Sequence, residues 1–384
     1  MPAAPESPIS DARPPVTAAP PSERVCATID LAAIRRNFAV ARKLSGVADC
    51  MAVVKADAYG HGLIPVARAL APEATFLGVA HVGEARRLVD AGIRCRPFLL
   101  GPTCPAERAE IVAHRWTPCL SSLDEGRHFD ALARDAGCGP LAVHLAVDTG
   151  MGRCGFLPDE FPGAIEVLRS LPGLTIEGIT SHHPSADEDE TFTRQQIGMF
   201  QSVVGRLPAV RFLHLANSAG LLGYPQHPCN LIRPGLMLYG VSPLPAFQQM
   251  LTPSLTLTAA VTLVRELPAG HGVSYGRTFI TGQPTTVATI GIGYGDGFPR
   301  HLSNRGADVL IGGRRCPVLG RVTMDQIMAD VTDLPTPPEP GAPVVIIGRQ
   351  ESHEITAAEL ATKAGTIPWE IFTGLTARVS RHYV

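Results

Sequence analysis

Short, almost wholly apolar runs, separated by helix-like stretches, constrain this chain more than any other feature of its 384 residues. Met51-Ala-Val-Val-Lys-Ala, Thr75–Ala80, Pro97–Leu100, Leu141–Val147, Thr175–Ile179 and Val210–Leu213 each read as a strand. Between them lie helical spacings such as Gly83–Ala91, closed by Gly92. These runs do not alternate apolar with polar, and strands buried on both faces are the ones that lose that alternation. Val25–Ile29 reads as a first strand, and Asp30 can cap a helix with Leu31, Ile34, Phe38 and Ala41 on one face. Repeated strand and helix imply a parallel sheet. Spacing and extent suit an α/β fold opening with an N-terminal (β/α)8 TIM-type barrel; a doubly wound open sheet is the alternative that pattern alone leaves standing.

After Phe247 the texture changes. Leu255–Val264, Thr285–Ile290, Ala307–Ile311 and Val344–Ile347 are β-branched runs parted by Gly and Pro, and helical signal returns only at Ile355–Lys363. That half reads as a mostly β domain, with Leu334–Pro343 as a surface loop inside it. The expected divisions are a disordered Pro/Ala-rich tail at 1–24, a barrel at 25–247 and a β-rich C-terminal domain at 248–384. The tail holds seven prolines and no continuous apolar stretch, so it is not read as a signal peptide. No apolar run reaches the ~18 residues of a membrane span. A net charge of -2 argues against a nucleic-acid or acidic-membrane binder. Nine scattered cysteines without a C-x-x-C pair fit neither a disulfide framework nor a zinc ribbon. A cytoplasmic protein is expected.

Of only three lysines, Lys43 and Lys363 sit on helical stretches and read as solvated charges. Lys55 ends an apolar strand ahead of Ala-Asp-Ala-Tyr-Gly-His-Gly, and strand C-termini with their following loops build barrel active sites. A lysine partly desolvated there loses its proton more readily and becomes a nucleophile for Schiff-base chemistry. The plainer alternative is a lysine that snorkels at a strand end. His214-Leu-Ala-Asn-Ser-Ala-Gly follows the next suspect strand, and Asn217 or Ser218 can cap a helix whose free N–H groups suit a phosphate, or cap it and nothing more. Arg233 precedes a Pro-Gly turn one unit later, where barrels often hold phosphate groups. Asp148-Thr-Gly-Met-Gly-Arg153 brings a guanidinium toward the same end of the sheet, suited to a carboxylate or to a surface ion pair. His182 and His183 are neighbours on a strand end and face opposite ways, so they do not suit one metal; a flat ring against a cofactor is the better use of His182. Asp187–Glu190 reads as solvated loop, and no metal is expected. Val273-Ser-Tyr-Gly-Arg277, Gly291–Gly297 and Gly320–Gln326 are motif-like turns in the β half, with Tyr275 either a packing cap or an acid–base group.

Together these segments resemble the alanine racemase family over roughly Val25 to Val384, and the core motif, Ala52-Val-Val-Lys-Ala-Asp-Ala-Tyr-Gly-His-Gly62, is highly specific. Asp148–Arg153, Ala216–Gly220, Arg233–Gly240, Val273–Gly276, Gly291–Pro299 and Met324-Asp-Gln follow in family order. The resemblance implies a pyridoxal 5'-phosphate enzyme that interconverts L- and D-alanine, supplies D-alanine for peptidoglycan and works as a homodimer with shared active sites. It implies that Lys55 holds the cofactor and is one catalytic base, and that Tyr275 is the other, reaching from the β domain of a second subunit. Tyr59, Ser218, Gly235 and Leu236 would contact the phosphate, with Asn217 beside it, His182 against the ring and Arg233 facing the pyridine nitrogen. Arg153 and the backbone N–H of Met324 would take the substrate carboxylate.

Three departures stand out. Ala146, seven residues before Arg153, replaces a lysine that many members carry as a carbamate. Trp369 replaces a tyrosine whose hydroxyl commonly reaches the phosphate, and His183-Pro184 is unusual after the ring-stacking histidine. These bear on substrate range, with serine a possible second substrate. A barrel-type decarboxylase would present a carboxylate to the pyridine nitrogen, so Arg233 argues against it. A metal-assisted lyase lacks its ligand cluster, since the only H-x-C is His227-Pro-Cys229 in the barrel half. A non-catalytic pyridoxal-phosphate carrier would lack Tyr275 and the β-rich half.

Overall fold

The computed structural model describes residues 23–46, 49–224 and 229–384, so nearly all of the expected tail, and His227, lie outside the described residues. Two compact units divide the chain. One is formed by Ala33–Ala58 and Gly62–Thr252, the other by the residues up to Ala32, Tyr59–His61 and Pro253–Val384. The strands are β1 (Val25–Ile29), β2 (Asp49–Val53), β3 (Phe76–Val79), β4 (Pro97–Leu99), β5 (Thr117–Leu120), β6 (Leu141–Ala146), β7 (Leu174–Thr180), β8 (Phe212–His214) and β9 (Leu231–Ile232). The β-rich part adds β10 (Leu255–Leu267), β11 (Gly272–Val273), β12 (Phe279–Ile280), β13 (Thr285–Ile290), β14 (Asp308–Ile311), β15 (Arg314–Leu319), β16 (Ile327–Asp330), β17 (Pro343–Gln350), β18 (His353–Ile355) and β19 (Ser380–Tyr383).

In the first unit eight parallel strands run in the order β8-β7-β6-β5-β4-β3-β2-β9. Asn230 closes the seam between the two end strands. Its backbone N–H donates to Leu213 O at 3.0 Å, while its side chain accepts from Leu213 N–H at 2.8 Å and donates to Arg211 O at 2.7 Å. The backbone and side-chain amides of one residue thus stand in for the missing ladder, and the barrel is nearly closed. Met51, Phe76, Phe98, Cys119, Ala146, Phe212 and Leu231, from seven different strands, fill the interior. The barrel alternative is the correct one, not the open sheet.

The second unit is a nine-stranded sheet in the order β18-β17-β14-β15-β16-β13-β10-β1-β19. The expected domain limits need correction here. Val25–Ile29 is a strand but does not open the barrel: it pairs antiparallel with β10 and parallel with β19. The barrel unit therefore begins at Ala33, and it ends at Thr252 rather than at 247. A strand's identity is local, whereas its partner is set by contacts far along the chain, and spacing alone did not carry that information.

Candidate active site

Lys55 stands two residues beyond β2, and the chain leaves it through a left-handed turn. Ala56, Asp57, Ala58 and Tyr59 all have φ of 53–54°. The region costs an ordinary residue about 1–2 kcal/mol, so four in succession must be held from outside. Glu84, itself buried, accepts the Ala56 N–H at 2.7 Å and the Ala80 N–H at 2.8 Å. Asp57 Oδ1 accepts the Leu63 N–H at 3.0 Å and is paired with Arg87 at 3.0 Å. Such strain persists where its surroundings over-determine it, and it gathers at functional sites. Burial, then Arg153 and Arg233, pushes the Lys55 amine below the ordinary lysine value, against the pull of Glu84. More of it is therefore neutral amine, the form that attacks a carbonyl. Tyr59 ends the turn with its phenol buried, which raises its pKa.

Glu84 gave no signal in the sequence, being one acid in the first turn of the helix Val82–Asp90. Glu84→Ala strands two backbone N–H groups at once, and the expected loss is about 1–3 kcal/mol for each donor left unpaired. A fall in the urea midpoint measures it. A change below about 0.5 kcal/mol, the range of a plain surface substitution, would show that something else holds the turn.

Arg233 follows β9 and is buried. Its Nη1 donates to Thr180 Oγ1 and His214 Nδ1, each at 2.5 Å, and its Nη2 to Ser181 O at 2.6 Å and His182 Nδ1 at 3.1 Å. Its Nε–H has no hydrogen-bond partner among the described residues. Burial lowers the guanidinium to about 10, which still leaves it charged at neutral pH. Burial and Arg233, in that order, hold His182 well below the usual histidine range, so the ring is neutral. His183 turns the other way, with Nδ1 3.3 Å from Gln196 Oε1.

Ser218 and Gly235 lie together: the hydroxyl accepts the Gly235 N–H at 2.9 Å and the Met237 N–H at 3.3 Å. Leu236, buried, opens the short helix Leu236–Tyr239. Asn217 caps the helix Ser218–Gly223 through the Gly220 N–H at 2.9 Å and donates to His183 O at 3.2 Å. Asp148 organises the loop before Arg153 by accepting three backbone N–H groups, from Gly150, Met151 and Gly152. The Arg153 side chain is exposed, and nothing among the described residues bonds it, in keeping with Ala146 having no polar atom to offer. The acidic run is exposed, but Asp189 caps the helix Glu190–Val204.

In the β-rich unit three motif-like segments come together. Ser274 Oγ donates to Arg321 O at 2.6 Å, Tyr294 N–H to Thr323 O at 3.0 Å and Gly295 N–H to Met324 O at 2.8 Å. Ser274, Gly276 and Arg277 have φ of 62°, 70° and 46°, a strained turn that leaves Tyr275 69% exposed. Met324 is likewise exposed. Trp369 is half-buried in the helix Pro368–Thr373. All nine cysteines are free thiols. Glu23, Cys26 and His382 bring ligand atoms within 4.8 Å of one another, with His382 already on Glu23 at 2.8 Å.

His144 and His214 are functional candidates to which the sequence motifs assign no role, although His214 opens the segment ending at Gly220; both lie in the inward phase of apolar strands, where a polar residue is itself a signal. Burial, then Arg233, keeps His214 well below the usual range, and burial lowers His144 despite Glu177. The unfolded chain takes up protons near pH 6.5 and these two buried rings do not. Stability is therefore complete above about pH 6.5 and falls below it, by up to about 1.4 kcal/mol per pH unit for each ring. Urea midpoints at descending pH measure this; a flat profile from about pH 6.5 to 5 would mean the folded rings accept the protons.

The sequence profile of the alanine racemase N-terminal domain matches residues 29–243, and that of the alanine racemase C-terminal domain residues 254–383. The alanine racemase of Methylacidiphilum infernorum is 39% identical over 369 residues, 95% of this chain and 94% of that protein. Among solved structures, alanine racemase from D-cycloserine-producing Streptomyces lavendulae aligns with a TM-score of 0.88 at 37% identity, over 94% of this chain and 97% of that one. Alanine racemase from Bartonella henselae, solved with covalently bound pyridoxal phosphate, aligns with a TM-score of 0.87 at 31% identity, over 94% and 99%.

Proposed function

The chain belongs to the alanine racemase family, and from that premise we propose that it interconverts L- and D-alanine with pyridoxal 5'-phosphate bound in the barrel unit. The observation that carries this reading is a largely buried lysine just past a strand end, its amine pushed below the ordinary lysine value by burial first and then by Arg153 and Arg233, together with a buried Arg233 guanidinium whose Nε–H is left over. The donor set fits the cofactor: an amine for the aldehyde, a donor for the ring nitrogen, a neutral ring at His182, and Ser218 with Gly235 for the phosphate.

When bound, pyridoxal phosphate delocalises the electron pair left at Cα after its proton is removed. Lys55 holds the cofactor and serves as base on one face of Cα. Arg233 donates to the ring nitrogen without surrendering its proton, because a guanidinium near 10 is a poor acid at neutral pH. By keeping that proton, Arg233 would leave the bound cofactor a weaker electron sink, which would favour prompt return of a proton to Cα over side reactions. Return on the opposite face needs a second acid, and Tyr275 of a second subunit takes that role. Arg153 and the Met324 N–H bind the substrate carboxylate. A homodimer with shared sites follows from this arrangement, in the cytoplasm, with D-alanine passing to peptidoglycan and no nucleic-acid or membrane partner.

Circular-dichroism decay of L-alanine with purified protein and added pyridoxal phosphate tests the reading. Loss of the signal to zero supports it; no decay despite a bound-cofactor band would sink it in favour of decarboxylation or simple carriage. L-serine run in parallel reports what Trp369 permits, since an indole offers one donor and a larger footprint than a phenol. Specific activity should fall on dilution to monomer.

A further inference from the structure

Behind Arg233 the barrel core holds a line of polar groups that the proposed reaction does not use. His214 Nδ1 lies 2.5 Å from Arg233 Nη1, and His214 Nε2 lies 2.6 Å from His144 Nδ1. His144 Nε2 then faces the Glu177 carboxylate at 3.9 Å, with no closer hydrogen-bond partner among the described residues. Glu177 is gripped by Arg96 at 2.7 Å and Arg211 at 3.3 Å. Arg96 and Arg211 stand just ahead of β4 and β8, whereas Arg233 stands just past the end of β9. The line thus connects opposite ends of the strands through the interior.

Its surroundings are apolar. Phe98 packs edge-on against both imidazoles, with centroids at 4.9 and 5.6 Å, and Phe76 and Phe212 flank His144 at 5.7 Å. Gly178, beside Glu177, leaves the room that the ring occupies: a Cβ there would lie 2.5 Å from His144 Nδ1 and Cε1. Polar groups in so dry a place are costly unless each finds a complementary neighbour.

Donor arithmetic places the hydrogens. Arginine has donors only, so His214 Nδ1 accepts and His214 Nε2 carries the hydrogen. That N–H donates to His144 Nδ1, which puts the hydrogen of His144 on Nε2, facing the carboxylate. The reverse assignment would set an N–H against the guanidinium and a lone pair against the carboxylate, repulsive at both ends.

We propose that Glu177, clamped by Arg96 and Arg211, is a positioning residue for Arg233: through His144 and His214 it fixes the nitrogen that faces the guanidinium, and so keeps the Arg233 Nε–H free for the cofactor's ring nitrogen. The role toward the cofactor rests on the functional reading above; the tautomer lock does not.

Histidine-selective 15N NMR of the full-length protein without cofactor tests the lock directly. His144 and His214 should both show Nε2–H and a bare Nδ1 between about pH 5.5 and 8; a hydrogen on Nδ1 of either ring, or double protonation, overturns the proposal. Glu177→Gln replaces the carboxylate by an amide that can donate to His144 Nε2 and so invites the reverse order. The expected outcome is a mixed tautomer signal, an altered absorbance band of added pyridoxal phosphate, and kcat lower by about 10–100-fold with KM for alanine little changed, the scale on which outer supporting groups act. Glu177→Asp should restore much of each. An unchanged band and kcat in a folded Glu177→Gln variant overturns the proposal. Failure of the wild-type protein to racemise alanine would sink the functional reading instead, and the tautomers distinguish the two.

Discussion

Lys55→Ala gives a folded protein that forms no covalent bond with pyridoxal phosphate and racemises neither enantiomer of alanine. The loss is expected to reach about 10⁴-fold or more, because in the proposed mechanism one side chain is both the cofactor's anchor and a base, and base catalysis alone is worth about 10²–10⁴-fold. The two other lysines have other settings: Lys363 is engaged by Asp308 and Glu359 at 3.1 and 2.9 Å, and Lys43 lies in the last turn of the helix Leu31–Ser45. Reduction with borohydride followed by intact mass should show the cofactor retained by the wild-type chain and absent from the variant. Thermal unfolding controls for folding, since the left-handed turn after Lys55 is held by Glu84 and Asp57 and not by the amine. Retained racemisation within about tenfold of wild type would overturn the assignment of Lys55 as base.

The barrel was legible where its strands were long enough to show an unbroken apolar run. Phe76–Val79 and Leu141–Ala146 fall within a residue of the runs that suggest them, while Asp49–Val53 begins two residues before its run and stops three short of the run's end. Thr117–Leu120 and Leu231–Ile232 give no strand signal of their own, one containing Pro118 and the other only two residues long. Proline is disfavoured in central strands and two residues carry no periodicity. The left-handed turn was hidden for a different reason: Ala56, Asp57 and Ala58 are residues for which that conformation is costly, and the compensation comes from Glu84, far along the chain. Lys55 is visible because a lone charge ending an apolar run breaks a pattern, and Arg233 because it precedes a Pro-Gly turn one unit after the His214–Gly220 segment. Their support, Glu84, His144, His214 and Glu177, is not, because its meaning resides in hydrogen bonds between strands that only the closed barrel creates.

Tyr275→Phe separates the two faces of the reaction more cleanly than any change in the barrel. The strained turn at Ser274, Gly276 and Arg277 presents the phenol ring 69% exposed, and Ser274 fixes the turn by donating to Arg321 O at 2.6 Å. Removing one hydroxyl alters none of those backbone contacts, so the variant should match the wild type in folding, in oligomeric state and in uptake of added pyridoxal phosphate. In the proposed mechanism Lys55 still serves its own face of Cα. The α-proton of one alanine enantiomer therefore continues to exchange with deuterated solvent, while exchange from the other, and racemisation with it, falls by about 10²–10⁴-fold, the usual worth of one general acid–base group. Proton NMR of each enantiomer incubated separately in deuterated buffer reads both rates in one experiment. Comparable exchange from both enantiomers would refute the two-base arrangement, since a single group would then be reaching both faces. Loss of exchange from both, with cofactor retained, would assign Tyr275 to substrate binding and leave the second acid to be found elsewhere.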